Sequence, residues 1–153
     1  MNQQRPEWFA DPELGEPGLR FNCTMCGNCC TGPSGFVRFT VQEAQRLARR
    51  LGLSLAEFME RYTMVVEGEP SLNEVRAEHG YDCVFLDRET IPGRAVCGVY
   101  EDRPTQCRTW PFWQSNLKSP RTWAKASKTC PGMNTGKLVR PQEIRILRDK
   151  CDA

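Results

Sequence analysis

The sequence predicts an α+β fold, in which two short helices, an antiparallel β meander and cysteine-rich loops form one small domain of a 153-residue chain. Two capping motifs predict the helices, and short runs separated by turn residues predict the strands. Leu, Ile, Val and Phe total only 30 residues, just under the roughly 20% at which chains often fail to fold, but the net charge of +2 is too low for typical disorder. Some other interaction must therefore stabilise the fold, and the nine cysteines are the obvious source.

The amino-terminal part is predicted to be extended. Residues 1–20 are rich in Pro, Glu and Gly, so we expect an N-terminal arm anchored by Trp8 and Phe9. A cysteine-rich loop follows from Phe21, and residues 36–39 predict a short strand.

Two helices are predicted next. Thr40 and Glu43 form a capping box, and Gly52 closes the helix, whose apolar residues recur at helical spacing: Val41, Ala44, Leu47, Ala48 and Leu51. Ser54 and Glu57 repeat the capping signature before a shorter helix, with an inner face of Leu55, Phe58, Met59 and Tyr62.

An antiparallel meander is predicted from four runs: residues 63–66, 72–76, 83–87 and 95–100. A hairpin turning at residue 90, midway between Cys83 and Cys97, would bring their Cβ atoms to about 4.5–5.5 Å.

The remaining elements are shorter. Pro104 predicts a helical turn through Cys107 to Trp110, and Cys130-Pro131-Gly132 predicts a turn. Residues 141–150 predict a terminal helix with Ile144 and Leu147 inward. We therefore divide the chain into an arm (1–20), a cysteine-cluster domain (21–136) and a basic C-terminal helix or tail (137–153).

Metal ligation is the favoured role of the cysteines. No signal peptide or membrane span is visible, so we expect a soluble, cytoplasmic protein with no membrane partner. In a reducing cytosol, closely spaced cysteines are more often metal ligands than disulfides, and nine is an odd number. A disulfide framework is the competing interpretation.

The run Cys23-x-x-Cys26-x-x-Cys29-Cys30 carries the strongest signal, because this spacing lets successive sulfurs converge on one centre. Adjacent side chains diverge, so Cys29 and Cys30 are expected to serve different centres. Two four-ligand centres require eight cysteines, and eight lie between Cys23 and Cys130: Cys23, Cys26, Cys29, Cys30, Cys83, Cys97, Cys107 and Cys130.

One partition follows bacterial ferredoxins, in which a three-cysteine run is completed by a cysteine before proline. It assigns Cys23, Cys26, Cys29 and Cys130 to a [4Fe–4S] cluster. The other four cysteines then form a closed zinc site: Cys30, Cys83, Cys97 and Cys107. Two structural zinc ions without a redox role remain an open alternative.

The ordered motifs resemble those of the YkgJ family of cysteine-cluster proteins, also called CxxCxxCC proteins. The resemblance extends from Phe21 to about Gly136 and is carried by Phe21-x-Cys23-x-x-Cys26-Gly27-x-Cys29-Cys30, Cys83-x-Phe85-Leu86, Cys97-x-x-Tyr100-x-x-Arg103-Pro104-x-x-Cys107-Arg108-x-Trp110-Pro111 and Cys130-Pro131-Gly132. It implies a zinc- or iron-chelating domain, and some members are labelled flagellin lysine methylases. Cys151 lies outside the pattern.

Residues near the cysteines have two interpretations each. Arg103 and Arg108 either donate to thiolates or hold acidic side chains and backbone carbonyls. The aromatic residues either form a dry shell around a metal centre or fill the core: Trp110, Phe112, Trp113 and Trp123. His79, the only histidine, is expected at the surface.

The sequence thus favours a metal-binding protein acting in electron transfer or metal handling. The first alternative is a zinc-stabilised module that binds nucleic acid or an acidic protein, because residues 114–153 carry a net charge of +6. The second is a methylase-type enzyme, as the resemblance implies, although no G-x-G-x-x-G loop or pair of catalytic carboxylates is visible. Whether a reaction is catalysed stays open.

Overall fold

The computed structural model describes residues 5–78 and 80–151, and it divides into two compact units. Unit one comprises Met1–Thr24 and Thr109–Ala153, and unit two comprises Met25–Arg108. His79, which was expected at the surface, lies outside the described residues. In the described part of the chain, no helix has the length and apolar character needed to cross a membrane.

The α-helices are, in chain order, α1 (Val41–Arg50), α2 (Leu55–Tyr62), α3 (Thr105–Arg108), α4 (Gln114–Leu117), α5 (Pro120–Ser127) and α6 (Pro141–Asp149). The strands are β1 (Leu19–Phe21), β2 (Thr31–Gly32), β3 (Thr63–Val66), β4 (Glu69–Leu72), β5 (Glu74–Ala77), β6 (Gly80–Cys83), β7 (Leu86–Asp87), β8 (Val96–Cys97) and β9 (Met133–Val139). Every strand pairing is antiparallel among these residues, which confirms the predicted α+β class.

The two predicted helices of unit two are confirmed with their caps. Thr40 and Glu43 form a complete capping box at α1, and Ser54 accepts the Glu57 N–H at α2. Both helices pack into an apolar core made of Ala44, Leu47, Ala48, Phe58, Leu72, Phe85 and Val99. Leu55, predicted on the inner face of α2, is instead exposed, because it opens the first turn of the helix.

The strands of unit two are antiparallel, as predicted, but within its described residues they form three separate small sheets and not one continuous meander: β2-β6-β5, β3-β4 and β7-β8. The predicted hairpin register is wrong, because Cys97 pairs with Leu86 and Cys83 pairs with Glu74. The Asp87 carboxylate accepts the backbone N–H groups of Glu89 and Thr90 and so fixes the start of the turn. That local interaction displaces the turn from its expected centre at residue 90.

The predicted strand at residues 36–39 is also wrong. This segment bonds largely to side chains: Val37 N–H donates to Ser71 Oγ at 2.8 Å, and Arg38 N–H donates to Gln106 Oε1 at 2.9 Å. Because side-chain oxygens accept these backbone N–H groups, residues 36–39 do not pair with a neighbouring strand.

Unit one is built around the β1–β9 pair, in which Leu19 lies opposite Val139. Its core consists of Phe9, Leu19, Phe112, Leu117, Trp123, Cys130, Met133, Val139 and Ile144. The predicted terminal helix is confirmed as α6, with Ile144 fully buried and Leu147 packed against the core. Helices α4 and α5 and strand β9 were not predicted. The predicted turn after Cys130 is confirmed by the Met133 N–H to Cys130 carbonyl bond of 3.1 Å.

We predict that Ile144→Ala destabilises unit one by about 2–5 kcal/mol, because truncating a fully buried side chain leaves a cavity. The matched control is Ile146→Ala on the same helix, where the side chain is 58% exposed and the change should stay within about 0.5 kcal/mol. All four tryptophans of the sequence lie in unit one, so urea unfolding followed by tryptophan fluorescence reports on this unit. Equal effects of the two substitutions would contradict the assigned core.

Candidate metal centre

The eight predicted ligands are shared unequally between the two units. Cys23 and Cys130 lie in unit one, and the rest lie in unit two: Cys26, Cys29, Cys30, Cys83, Cys97 and Cys107. Each group is built by its own local contacts.

In unit one, the Cys130 turn lies against the backbone beside Cys23. Asn22 N–H donates to the Gly132 carbonyl at 3.0 Å. A Cβ on Gly132 would stand 2.0 Å from the Asn22 carbonyl oxygen and 3.5 Å from the Cys23 Cα, so only glycine allows this approach. The Pro131-Gly132 sequence therefore brings the two cysteine-bearing segments together.

In unit two, the loop that carries Cys26 is packed on the hairpin that carries Cys97. Gly27 has a φ of 77°, and a Cβ there would stand 2.5 Å from the Ala95 Cβ. Ala95 N–H also donates to the Met25 carbonyl at 2.9 Å. The glycine thus holds the cysteine loop against the strand that begins at Val96.

Cys30 is placed beside Cys83 by strand pairing. Thr31 lies opposite Asp82 in the β2–β6 pair, and continuing that register by one residue sets Cys30 opposite Cys83. The Thr31 hydroxyl donates to Asp82 Oδ1 at 2.6 Å, and Arg88 donates to both carboxylate oxygens of Asp82 at 2.9 Å. This bidentate arrangement fixes the segment between the two cysteines.

Cys107 is held by the anchoring of the short helix α3. The buried Glu43 carboxylate accepts the Thr105 N–H at 3.0 Å as well as its hydroxyl. Gln106 Nε2 donates to the Phe36 carbonyl at 2.9 Å. The carboxylate that caps α1 therefore also fixes the start of the helix that presents Cys107.

The sulfurs of Cys29 and Cys30 lie 3.8 Å apart. The expectation that these adjacent side chains diverge is therefore wrong, because the 3₁₀ turn Asn28–Cys30 directs both thiols to one region. With Zn–S bonds of about 2.3 Å, the edge of a tetrahedral four-thiolate site is about 3.8 Å. The pair thus has the spacing of two ligands on a single ion.

Four thiols of unit two have raised pKa values. Burial raises the pKa of Cys83 to about 11 and also raises the pKa values of Cys97 and Cys107. The negative charges of neighbouring thiolates add to each of these shifts. Cys30 is raised by the hydrogen bond it shares with Cys29, by burial, and by the charges of Cys29, Cys107 and Cys83. We call the five thiols that are linked by these effects on pKa the thiol cluster: Cys29, Cys30, Cys83, Cys97 and Cys107.

Cys29 shifts in the opposite direction. The hydrogen bond with Cys30 lowers the pKa of Cys29 to about 7, and the charge of Arg103 contributes in the same direction against the effect of burial. Cys29 is therefore the member of the thiol cluster that is substantially ionised near neutral pH.

The two predicted arginines have different roles. Arg103 stacks on the Tyr100 ring and donates to the Tyr100 carbonyl. Its positive charge lowers the pKa values of Cys29, Cys97 and Cys107. For Cys97 and Cys107 this effect is smaller than the effect of burial, so their pKa values are raised overall. Arg108 donates to the backbone carbonyls of Arg103 and Glu101, both at 2.7 Å. Of its two predicted roles, the structure therefore shows contact with backbone carbonyls. Among the aromatic residues, Phe112 and Trp123 fill the core of unit one.

All five candidate donors of the thiol cluster are sulfurs, which is the donor type that thiophilic metal ions prefer. In the arrangement described, residues 5–78 and 80–151 contain no group of three or more Cys, His, Asp or Glu side chains positioned to hold one ion together.

Comparison with known proteins identifies one family. A sequence model of the CxxCxxCC family, described as a "putative zinc- or iron-chelating domain", matches residues 22–131. The match covers more than half of the chain and spans all eight predicted ligand cysteines. No solved structure matches the chain.

We predict that Cys29 is alkylated first among the thiol cluster in reduced, metal-free protein at pH 7, because the thiolate is the reacting species. A brief iodoacetamide pulse followed by peptide mass spectrometry measures this. Faster labelling of Cys83 or Cys107 would contradict the assigned pKa order.

We predict that Asp82→Ala weakens zinc binding by about tenfold to a hundredfold, since Asp82 fixes the strands that carry Cys30 and Cys83. The control is Glu89→Ala, which removes an exposed carboxylate from the nearby turn. Competition titration with a chromophoric chelator measures both affinities, and circular dichroism checks the fold. Equal affinities for the two variants would show that the Asp82 contacts do not position the ligands.

Proposed function

We propose that this chain, which belongs to the CxxCxxCC family of zinc- or iron-chelating domains, holds a zinc ion on Cys30, Cys83, Cys97 and Cys107 and acts in metal handling. The observation that supports the proposal is the family match over residues 22–131, which spans all four of these cysteines. The four cysteines lie in unit two, on the 3₁₀ turn, β6, β8 and α3.

Electrostatics supports a cation at this place. Each ionised thiol raises the pKa values of its neighbours, so the cluster cannot collect several negative charges in the absence of a compensating positive charge. A dication reverses this repulsion, and four thiolates with no nitrogen or oxygen donor suit zinc. The family description is consistent with this ion and with iron.

The assignment of Cys23, Cys26, Cys29 and Cys130 to a [4Fe–4S] cluster stays a prediction. The contact between Cys29 and Cys30 favours instead a role for Cys29 in the thiol cluster. We therefore propose zinc as the ion of the thiol cluster and treat iron with sulfide as an outcome of metal analysis.

The basic C-terminal segment gives no separate support for nucleic-acid binding. Arg145 and Arg148 both form ion pairs with Glu7, at 3.2 and 3.0 Å. Part of the positive charge of residues 114–153 is therefore balanced by an acidic residue of the same chain.

We predict that protein purified without oxygen contains zinc and that Cys107→Ser loses one equivalent, because Cys107 is a proposed ligand. The control is Cys151→Ser, which lies outside the family match and should retain the wild-type metal content. Elemental analysis and a sulfide assay measure the result. Equal metal content in both variants would exclude Cys107 as a ligand. If the wild-type protein contained iron and sulfide and Cys107→Ser lost both, the bound group would be an iron–sulfur cluster and the assignment of zinc would be wrong.

We predict that zinc binding at pH 7 releases about four protons, because the raised pKa values keep Cys30, Cys83, Cys97 and Cys107 protonated before the ion binds. Zinc affinity should accordingly increase with pH through the neutral range. Calorimetry in buffers of different ionisation enthalpy counts the protons. Release of one proton or none would contradict ligation by four initially protonated thiols.

A further inference from the structure

We propose that unit one contains a binding site for a small zwitterion with an apolar body, the chemistry of an aromatic amino acid. The site is a cavity of about 800 Å³ that is bordered by the amino-terminal arm, the α4–α5 junction and the end of α6. Small-molecule sites typically have volumes of roughly 300–1,000 Å³. The residues that line this cavity belong to unit one, so the inference is independent of the metal proposed for unit two.

The first observation is a buried carboxylate in the cavity wall. Asp11 lines the cavity and is only 7% exposed. Its Oδ1 accepts the Glu13 N–H at 3.0 Å, whereas no residue within 5–78 or 80–151 forms a hydrogen bond or ion pair with Oδ2. Carboxylates are rarely buried unless they are paired, and an ionised one can accept about four hydrogen bonds. Asp11 therefore has the capacity to bind a positively charged donor that enters the cavity.

An ammonium group fits this carboxylate better than a metal ion does. A metal ion requires several donor side chains, and the described part of the chain contains no group of three or more His, Cys, Asp or Glu residues that could hold one. An ammonium group needs only one carboxylate and carries three donors. Its hydrogen bond to Asp11 would be charge-assisted and hence stronger than a neutral one.

The second observation is the apolar surface of the cavity, which includes Trp8, Phe9, Leu14 and Leu117. Trp8 is held in place, because its Nε1–H donates to the Leu117 carbonyl at 2.7 Å and its ring contacts Phe9 edge to face. Leu14 is 60% exposed and so is available for contact. A ligand with an apolar body would remove this surface from water, which favours binding.

The third observation is the positive charge of the cavity. Arg5 and Lys118 line it, are exposed and form no ion pair with a described residue. Arg148, another basic residue of the wall, is already paired with Glu7 and Asp149 at 3.0 and 2.8 Å. Among the described wall residues, the charges without an ion pair are thus one buried carboxylate and two exposed cations. A zwitterion complements both signs, whereas the two cations would repel a simple amine.

The test is the binding of L-phenylalanine to the full-length protein, followed by the tryptophan indole signals in two-dimensional proton–nitrogen NMR spectra. The sequence has four tryptophans, and Trp8→Phe identifies the Trp8 signal by its loss. We expect phenylalanine to shift the Trp8 signal to saturation.

The contribution of the buried carboxylate is measured with Asp11→Asn. We expect this substitution to raise the Kd for phenylalanine about tenfold to a hundredfold, as loss of a charge-assisted hydrogen bond does. Asparagine keeps an oxygen acceptor for the Glu13 N–H, so the local turn should be preserved. Glu13→Gln is the matched control, because it removes an exposed carboxylate that does not line the cavity, and it should bind phenylalanine as the wild type does.

Two analogues test the charges separately and give a result on the wild-type protein alone. Phenethylamine lacks the carboxylate and 3-phenylpropionate lacks the ammonium group, so each should bind more weakly than phenylalanine. Asp11→Asn should weaken the binding of phenethylamine but not that of 3-phenylpropionate. No shift of the Trp8 signal by phenylalanine, or an equal loss for all three compounds in Asp11→Asn, would overturn the proposal. Tighter binding of 3-phenylpropionate than of phenylalanine would overturn it as well, in favour of an anion site.

Discussion

The burial of several cysteine thiols without a compensating charge is the constraint on which the chemistry of unit two depends. Five of its cysteines lie on four backbone elements, and burial together with neighbouring charges raises the pKa values of four of them: Cys30, Cys83, Cys97 and Cys107. Such a cluster gains little from its own contacts. In the proposed zinc-bound form, a dication would replace the protons and contribute folding free energy on the order of 10 kcal/mol, as structural zinc sites do.

The surrounding fold is organised to bring these sulfurs together. Glu43 caps α1 and also binds the start of α3, so a single buried carboxylate joins a core helix to the helix that carries Cys107. The Asp82 carboxylate accepts hydrogen bonds from Thr31 and Arg88, which fixes the segments next to Cys30 and Cys83. The cysteines Cys83 and Cys97 also pack against the apolar core of unit two. The positions of these cysteines and the packing of the core are therefore interdependent in this small unit.

The sequence allowed the two helices of unit two to be predicted, because their signals are local. The capping residues Thr40 and Ser54 marked both helices, because a cap bonds to backbone groups within its own turn. The segment at residues 36–39 was mispredicted, because its partners are the side chains of Ser71 and Gln106, which are distant in sequence. The spacing of the cysteines identified the candidate ligands but not their grouping. Cys29 and Cys30 converge because of a 3₁₀ turn that residue spacing alone does not specify.

The most direct test of zinc binding by the thiol cluster is X-ray absorption spectroscopy at the zinc edge of the zinc-loaded protein. The account predicts a first shell of four sulfur scatterers at about 2.3 Å. A shell containing nitrogen or oxygen donors at about 2.0–2.1 Å would contradict a site built from thiolates alone.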